Sequence, residues 1–154
     1  MTPEIEPVYD VEAVNRALDL GPHSSRADRT IDITTVGRRS KEARRIEIWF
    51  HHVDNRWYLT GMPVARSWYA NLQANPRFVF HLKNGVRADL LATAKPVDAT
   101  TRRRVITQVL TLQNRADLGN QHAGIQSLEE WMEHSPLVEI VFDDDRLAST
   151  PNAR

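Results

Sequence analysis

The residues most able to do chemistry lie in the first half of the chain. Arg38, Arg39, Ser40 and Arg44 fall within seven positions. A guanidinium presents a rigid fork of donors matched to phosphate or carboxylate oxygens, and a neighbouring hydroxyl adds one more donor. The ordinary alternative is that consecutive arginines only solvate a turn. Downstream, the Thr60-Gly61-Met62 turn and Trp68, with Trp49 as a further wall, combine a flat apolar surface with backbone donors, as a planar ring ligand requires. Packing is the competing role for Trp68. Arg66 stands two residues before that tryptophan, where it could offset negative charge or simply remain solvated. Metal chemistry finds little support. His51 and His52 are adjacent in a strand-like run, so their side chains point to opposite faces, and His81, His122 and His134 show no ligand spacing. There is no cysteine, which excludes disulfides, thiolate nucleophiles and thiolate metal centres.

The 154 residues suit one domain, and their 20 basic and 20 acidic side chains cancel, so no global field draws the chain to nucleic acid. Any anion site must be local. The longest apolar runs, such as 137–142, fall far short of the roughly 20 residues that span a bilayer. The opening Met-Thr-Pro-Glu-Ile-Glu-Pro is acidic and unlike a secretory signal, so the cytoplasm is the expected location. We expect an N-terminal extension with a short helix over 1–30, a barrel domain over 31–147 and a polar tail over 148–154.

The elements that would position these residues follow from periodicity. Val11, Val14, Ala17 and Leu18 form one face of an opening helix that ends at Gly21-Pro22, followed by a polar stretch over 23–29. Ile31, Ile33 and Val36 mark a strand that stops at Gly37. From Arg44 to His52 the chain alternates, with Ile46, Ile48 and Phe50 on one face and Glu47, Trp49 and His51 on the other. Asp54-Asn55 predicts a hairpin turn into Trp57–Thr60, and Asn84-Gly85 a second hairpin between 78–82 and 86–97. Helices are expected over 65–74, ended by Asn75-Pro76, and over 98–113, with an apolar stripe of Val105, Ile106, Val109, Leu110 and Leu112. Ser127-Leu-Glu-Glu130 has capping-box spacing ahead of Trp131 and Met132, and Leu137–Phe142 forms the last strand. Consecutive hairpins with helices inserted between them favour a mainly β fold with added α: an antiparallel barrel of about six strands with peripheral helices.

The runs Thr34-Thr35-Val36-Gly37-Arg38-Arg39-Ser40, Arg44 and Ser67-Trp68-Tyr69-Ala70-Asn71-Leu72-Gln73-Ala74-Asn75-Pro76 resemble the deazaflavin-dependent nitroreductase family, within the pyridoxamine 5'-phosphate oxidase-like, FMN-binding split β-barrels. Members typically read T-T-x-G-R-[KR]-[ST]-G-x-x-R, then W-Y-x-N-L-x-A-N-P, then a strand pair and a helix opened by a segment like Val97-Asp98-Ala99-Thr100; Ser135-Pro136-Leu137-Val138 resembles the closing strand. The resemblance implies a homodimer that binds deazaflavin coenzyme F-420, or alternatively FMN, and transfers a hydride to a small organic acceptor such as a quinone or nitro compound. It implies that Arg38, Arg39, Ser40 and Arg44 hold the anionic part of the cofactor, and Trp49, Thr60, Gly61, Met62, Arg66 and Trp68 the ring side. The chain departs from the family pattern at four points. Lys41 replaces the glycine after Ser40, Glu47 replaces a proline, the loop after Thr60 is short, and 107–134 holds no tyrosine. A second reading is a non-catalytic barrel that binds FMN, haem or another apolar ligand, with His51, His81 or His134 as haem partners.

Overall fold

The computed structural model describes residues 9–118 and 127–147, without the side chain of residue 116. Residues 1–8 of the expected N-terminal extension, His122 and the polar tail lie outside them. Helix α1 (Val11–Leu18) is opened by Asp10, whose carboxylate accepts the N–H groups of Glu12 and Ala13. It stops at Asp19, two residues before the expected Gly21-Pro22 break. The polar stretch that follows contains a helix absent from the sequence expectation, α2 (Arg26–Arg29), held by a reciprocal capping box between Ser25 and Asp28.

Six strands then close into one antiparallel barrel: β1 (Thr30–Val36), β2 (Ala43–Val53), β3 (Arg56–Thr60), β4 (Arg77–Leu82), β5 (Ala88–Lys95) and β6 (Leu137–Phe142). Their order is β1-β2-β3-β6-β5-β4, with β4 pairing back to β1. The β2–β3 turn places both Asp54 (φ 52°) and Asn55 (φ 64°) in the left-handed region, the backbone that suits a two-residue hairpin loop. At the β4–β5 turn Gly85 takes φ 78°, which a residue without Cβ adopts freely.

Alternation sends Ile31, Ile33, Phe50, Leu59, Phe80, Leu90 and Ile140 inward, all fully or almost fully buried. Inside, Phe80 meets Phe50 and Phe142 edge-on, with ring centres 5.1 Å apart in each pair. At the end carrying the β2–β3 hairpin, Val14 and Leu18 of α1 join this core, and Trp57 Nε1 donates to the Leu18 carbonyl at 2.9 Å. At the other end the core is completed by Trp68 and Leu72 of α3 (Ser67–Ala74).

A second core lies outside the barrel, where Val53, Tyr58 and Leu137 pack against α4 (Ala99–Gln113) and α5 (Leu128–His134). Asp98 caps α4 by accepting the Thr101 N–H. The apolar stripe of α4 is buried at Val105, Ile106, Val109 and Leu110. Arg102 ties the two helices together, donating to the carbonyls of Trp131, Met132 and Ser135 at the end of α5.

Candidate functional site

The β1–β2 connection sets one wall of a cleft. Val36 pairs with Ala43, and between them the turn is closed by Gly37 N–H donating to the Glu42 carbonyl (2.8 Å) and Lys41 N–H to the Gly37 carbonyl (2.9 Å). The Ser40 hydroxyl folds back over this turn and accepts the Glu42 N–H. A Cβ at position 37 would come within 2.4 Å of that hydroxyl, so a larger residue there would push Ser40 off the Glu42 N–H. Lys41, which stands where the family pattern has glycine, adopts φ 62°.

The facing wall is the start of α3. Arg66 occupies its N-cap position, and no side chain caps the helix, so its first-turn N–H groups keep their donor capacity and the positive end of the helix dipole. Asn71 joins the two walls. It is 6 % exposed, its Oδ1 accepts the Arg38 N–H at 3.0 Å and its Nδ2 donates to Thr35 Oγ1 at 3.1 Å.

Together these elements enclose a cleft of about 470 Å³, within the size range of small-molecule sites. Arg38, Arg39, Ser40, Arg44 and Trp68 line it, with Thr35, Gly37, Ile46, Ser67 and Asn71, and no carboxylate is among the lining residues. Among the described residues, Arg38, Arg39 and Arg44 make no side-chain ion pair. By contrast, Arg45, Arg56, Arg77 and Arg104 are each bound to an acid. Three guanidiniums without ion pairs among the described residues, beside an uncapped helix start, could hold an anion. Trp68 is 6 % exposed and belongs to the barrel core, and it also lines the cleft together with Ile46.

Five residues named from the sequence do not line this cleft. Trp49 sits on the opposite face of β2 from Arg44 and Ile46, beside the outer-face pairing of Asp32 with Arg45 and Lys83. A wall formed jointly by Trp49 and Trp68 of one chain is therefore corrected by strand alternation. The Thr60 hydroxyl is buried and donates to the Pro136 carbonyl. Gly61, Met62 and Arg66 belong to the loop that delivers α3 to the cleft; Met62 is exposed, and Arg66 Nε is buried without a partner, close to Gly61. Sequence reasoning had not singled out Asn71, although it lies three residues after Trp68 and so shares its helix face.

Among the described residues no group of three or more acidic or histidine side chains converges as a metal site, and no helix is long and apolar enough to cross a membrane. No curated protein matches the chain. Among solved structures, a Listeria innocua protein provisionally named a pyridoxamine 5'-phosphate oxidase superposes with TM-score 0.57 at 12% identity, covering 87% of this chain and 94% of its own. A conserved hypothetical protein of Mycobacterium tuberculosis gives 0.56 at 16% identity, covering 94% and 87%. An F-420 reductase gives 0.53 at 13% identity, covering 75% and 86%. These likenesses show the split β-barrel fold, mainly β with added helices. The family model for F-420H(2)-dependent quinone reductase matches residues 13–124, which include the whole cleft, and the chain belongs to that family of deazaflavin-dependent oxidoreductases.

Proposed function

We propose that the chain holds reduced coenzyme F-420 in the Arg38–Arg44–Trp68 cleft and passes its hydride to a small organic acceptor, a quinone or a nitro compound. The observation that carries this reading is the set of three arginines without acidic partners, gathered in an acid-free cleft at the uncapped start of α3. A single phosphate, as in FMN, would leave part of that positive charge unanswered, whereas the longer anionic tail of the deazaflavin engages all of it.

In this reading Arg38, Arg39 and Arg44 bind the anionic tail, and the Ser40 O–H and the first N–H groups of α3 donate to it. Ile46 and Trp68 supply the apolar surface for the ring. When bound, the cofactor supplies a hydride, two electrons with one proton, and a quinone acceptor completes its reduction to quinol with a second proton from solvent. The protein's part is to orient the ring and keep water from it. No side-chain acid or base is required.

The working unit in this reading is a homodimer. Ile46 in the cleft wall and Met62 and Val64 in the loop that leads to α3 are exposed apolar side chains, which a second copy would cover. A single-chain mass by light scattering at micromolar concentration would reject it.

The deciding experiment is a parallel fluorescence titration with coenzyme F-420 and with FMN, followed by stopped-flow oxidation of the bound reduced coenzyme by a water-soluble quinone. Saturable micromolar binding of the deazaflavin, tighter than FMN, with quinone-dependent reoxidation, supports the proposal. Binding without reoxidation leaves a carrier rather than a reductase. Absence of deazaflavin binding overturns it.

A further inference from the structure

The outer face of the barrel carries a second group of polar side chains, which shares no residue with the cleft. Thr34 of β1, His81 of β4 and Asp89 of β5 point outward, alternating with the buried Ile33, Phe80 and Leu90. Strand register brings them together. His81 pairs directly with Asp89, and Thr34 lies one diagonal step away, since Asp32 is the β1 partner of His81. His81 Nδ1 stands 2.7 Å from Asp89 Oδ1, and His81 Nε2 stands 2.7 Å from Thr34 Oγ1. An ionised carboxylate can only accept, so Nδ1 carries the ring proton and Nε2 is left as the acceptor for the Thr34 hydroxyl. His81 is 7 % exposed, whereas Thr34 is half-buried and Asp89 is open to solvent.

The other charges on this face are committed elsewhere. Asp32, the second acid beside His81, is held by Arg45 Nε (2.9 Å) and Lys83 Nζ (2.7 Å), and Lys83 is also bonded to Glu47. Asp89 is therefore the carboxylate that orients the ring. On one side of Thr34, Arg45 is its direct partner across the β1–β2 ladder. Among the described residues Arg45 bonds only through Nε, so both Nη groups of this exposed side chain keep their donors. On the other side runs an apolar strip: Val79 is the β4 partner of Thr34, and Leu91, 55 % exposed, is the β5 partner of Val79. A hydroxyl bonded to a carboxylate-oriented imidazole, with donors on one side and apolar surface on the other, has the parts of an acyl-transfer site.

We propose that Thr34 is a nucleophile for acyl transfer from small esters with an apolar leaving group, with His81 as its general base and Asp89 positioning His81. The Thr34 oxygen bonds to the ester carbonyl carbon while its proton passes to His81 Nε2. The bond from that carbon to the leaving oxygen then breaks, and His81 returns the proton to the leaving group. Water, deprotonated by the same nitrogen, attacks the acyl-threonine, which releases the carboxylic acid and restores the hydroxyl. The Arg45 Nη groups meet the negative carbonyl oxygen formed in each attack, and Val79 and Leu91 carry the apolar group. No electron is transferred, so the site does not depend on the function proposed for the cleft.

The test is hydrolysis of 4-nitrophenyl acetate by the full chain, with nitrophenolate release followed by absorbance and the acid-quenched protein mapped by mass spectrometry. Expected are a saturable rate above that of buffer and an acetyl group on Thr34. Thr34→Val should abolish both, and His81→Gln should lower the rate by about a hundredfold. Asp89→Asn should lower it by about tenfold, less than His81→Gln because solvent screens this exposed carboxylate. Thr34→Ser keeps a hydroxyl at the same place and should retain activity. A rate lost in Thr34→Val but kept in Thr34→Ser supports the proposal even where the acyl group turns over too fast to be trapped. The saturable rate and the adduct are read on the native chain, so they hold whether or not a variant folds. No saturable rate, acetylation confined to lysines, or an unchanged rate in Thr34→Val overturns the proposal.

Discussion

The side-chain oxygen of Asn71 accepts the backbone N–H of Arg38 at 3.0 Å, so a buried amide on α3 sets where the arginine turn stands. Its nitrogen reaches Thr35 Oγ1 on β1, which fixes the amide's orientation as well. Removing it orphans a backbone donor and a buried hydroxyl, at a cost of about 1–3 kcal/mol. Asn71→Ala should therefore lower the melting temperature by a few degrees and weaken coenzyme binding, although no charged side chain is touched. Thermal unfolding and the fluorescence titration together check this; normal coenzyme affinity in the variant would show that the turn holds its place without α3.

Lys41 at φ 62° predicts a gain instead of a loss. A residue with a Cβ in the left-handed region carries about 1–2 kcal/mol of strain, and glycine returns part of that as extra freedom in the unfolded chain. Lys41→Gly should stabilise the protein by roughly 0.5–1 kcal/mol and leave the cleft arginines in place. The neighbouring Gly37→Ala should act oppositely, because its Cβ would displace the Ser40 hydroxyl from the Glu42 N–H. Denaturant midpoints of the two variants, measured side by side, would separate them.

These positions mark what was legible in the sequence. The hairpin at Asp54-Asn55 and the Asn84-Gly85 turn were readable because their residue types tolerate the backbone they adopt. The buried faces of α1 and α4 followed from their apolar spacing. Arg38, Arg39, Ser40 and Arg44 were readable as a group since one short turn carries them. Helix α2 was not legible, because it has one turn, no apolar face, and owes its existence to the Ser25–Asp28 capping box. Trp49 is a wall candidate by its flat aromatic surface, yet strand alternation turns it away from Arg44; the face shared by Asn71 and Trp68 depended on how α3 docks.

His51 predicts how stability depends on pH. Its folded-state pKa is held near 3, well below its ordinary value of 6.5, by burial and by the Arg29 charge. Between these values the unfolded chain binds the proton and the folded chain does not, so stability is full above about pH 6.5 and falls as pH drops toward 3. The slope from this one group approaches about 1.4 kcal/mol per pH unit. His51→Gln should flatten that part of the profile. Urea midpoints of both proteins from pH 7 to pH 4 would reveal it, and parallel curves would mean that His51 gains a charge partner on protonation.

The arginine cleft predicts a particular dependence on salt. Arg38 and Arg44 are exposed and unpaired, so their attraction for an anionic tail is screened over a Debye length of about 8–10 Å at physiological ionic strength. Arg38→Gln and Arg44→Gln should each weaken coenzyme binding by about tenfold at low salt, and by less at high salt, where the wild-type advantage is itself screened. Neither should change thermal stability by more than about 0.5 kcal/mol, because among the described residues neither side chain makes an ion pair or hydrogen bond. Neutralising Arg45 on the outer face removes the same formal charge but breaks its pairing with Asp32, and it should leave coenzyme affinity nearly unchanged. Equal losses at Arg44 and Arg45 would indicate that the coenzyme responds to net charge rather than to the geometry of the cleft.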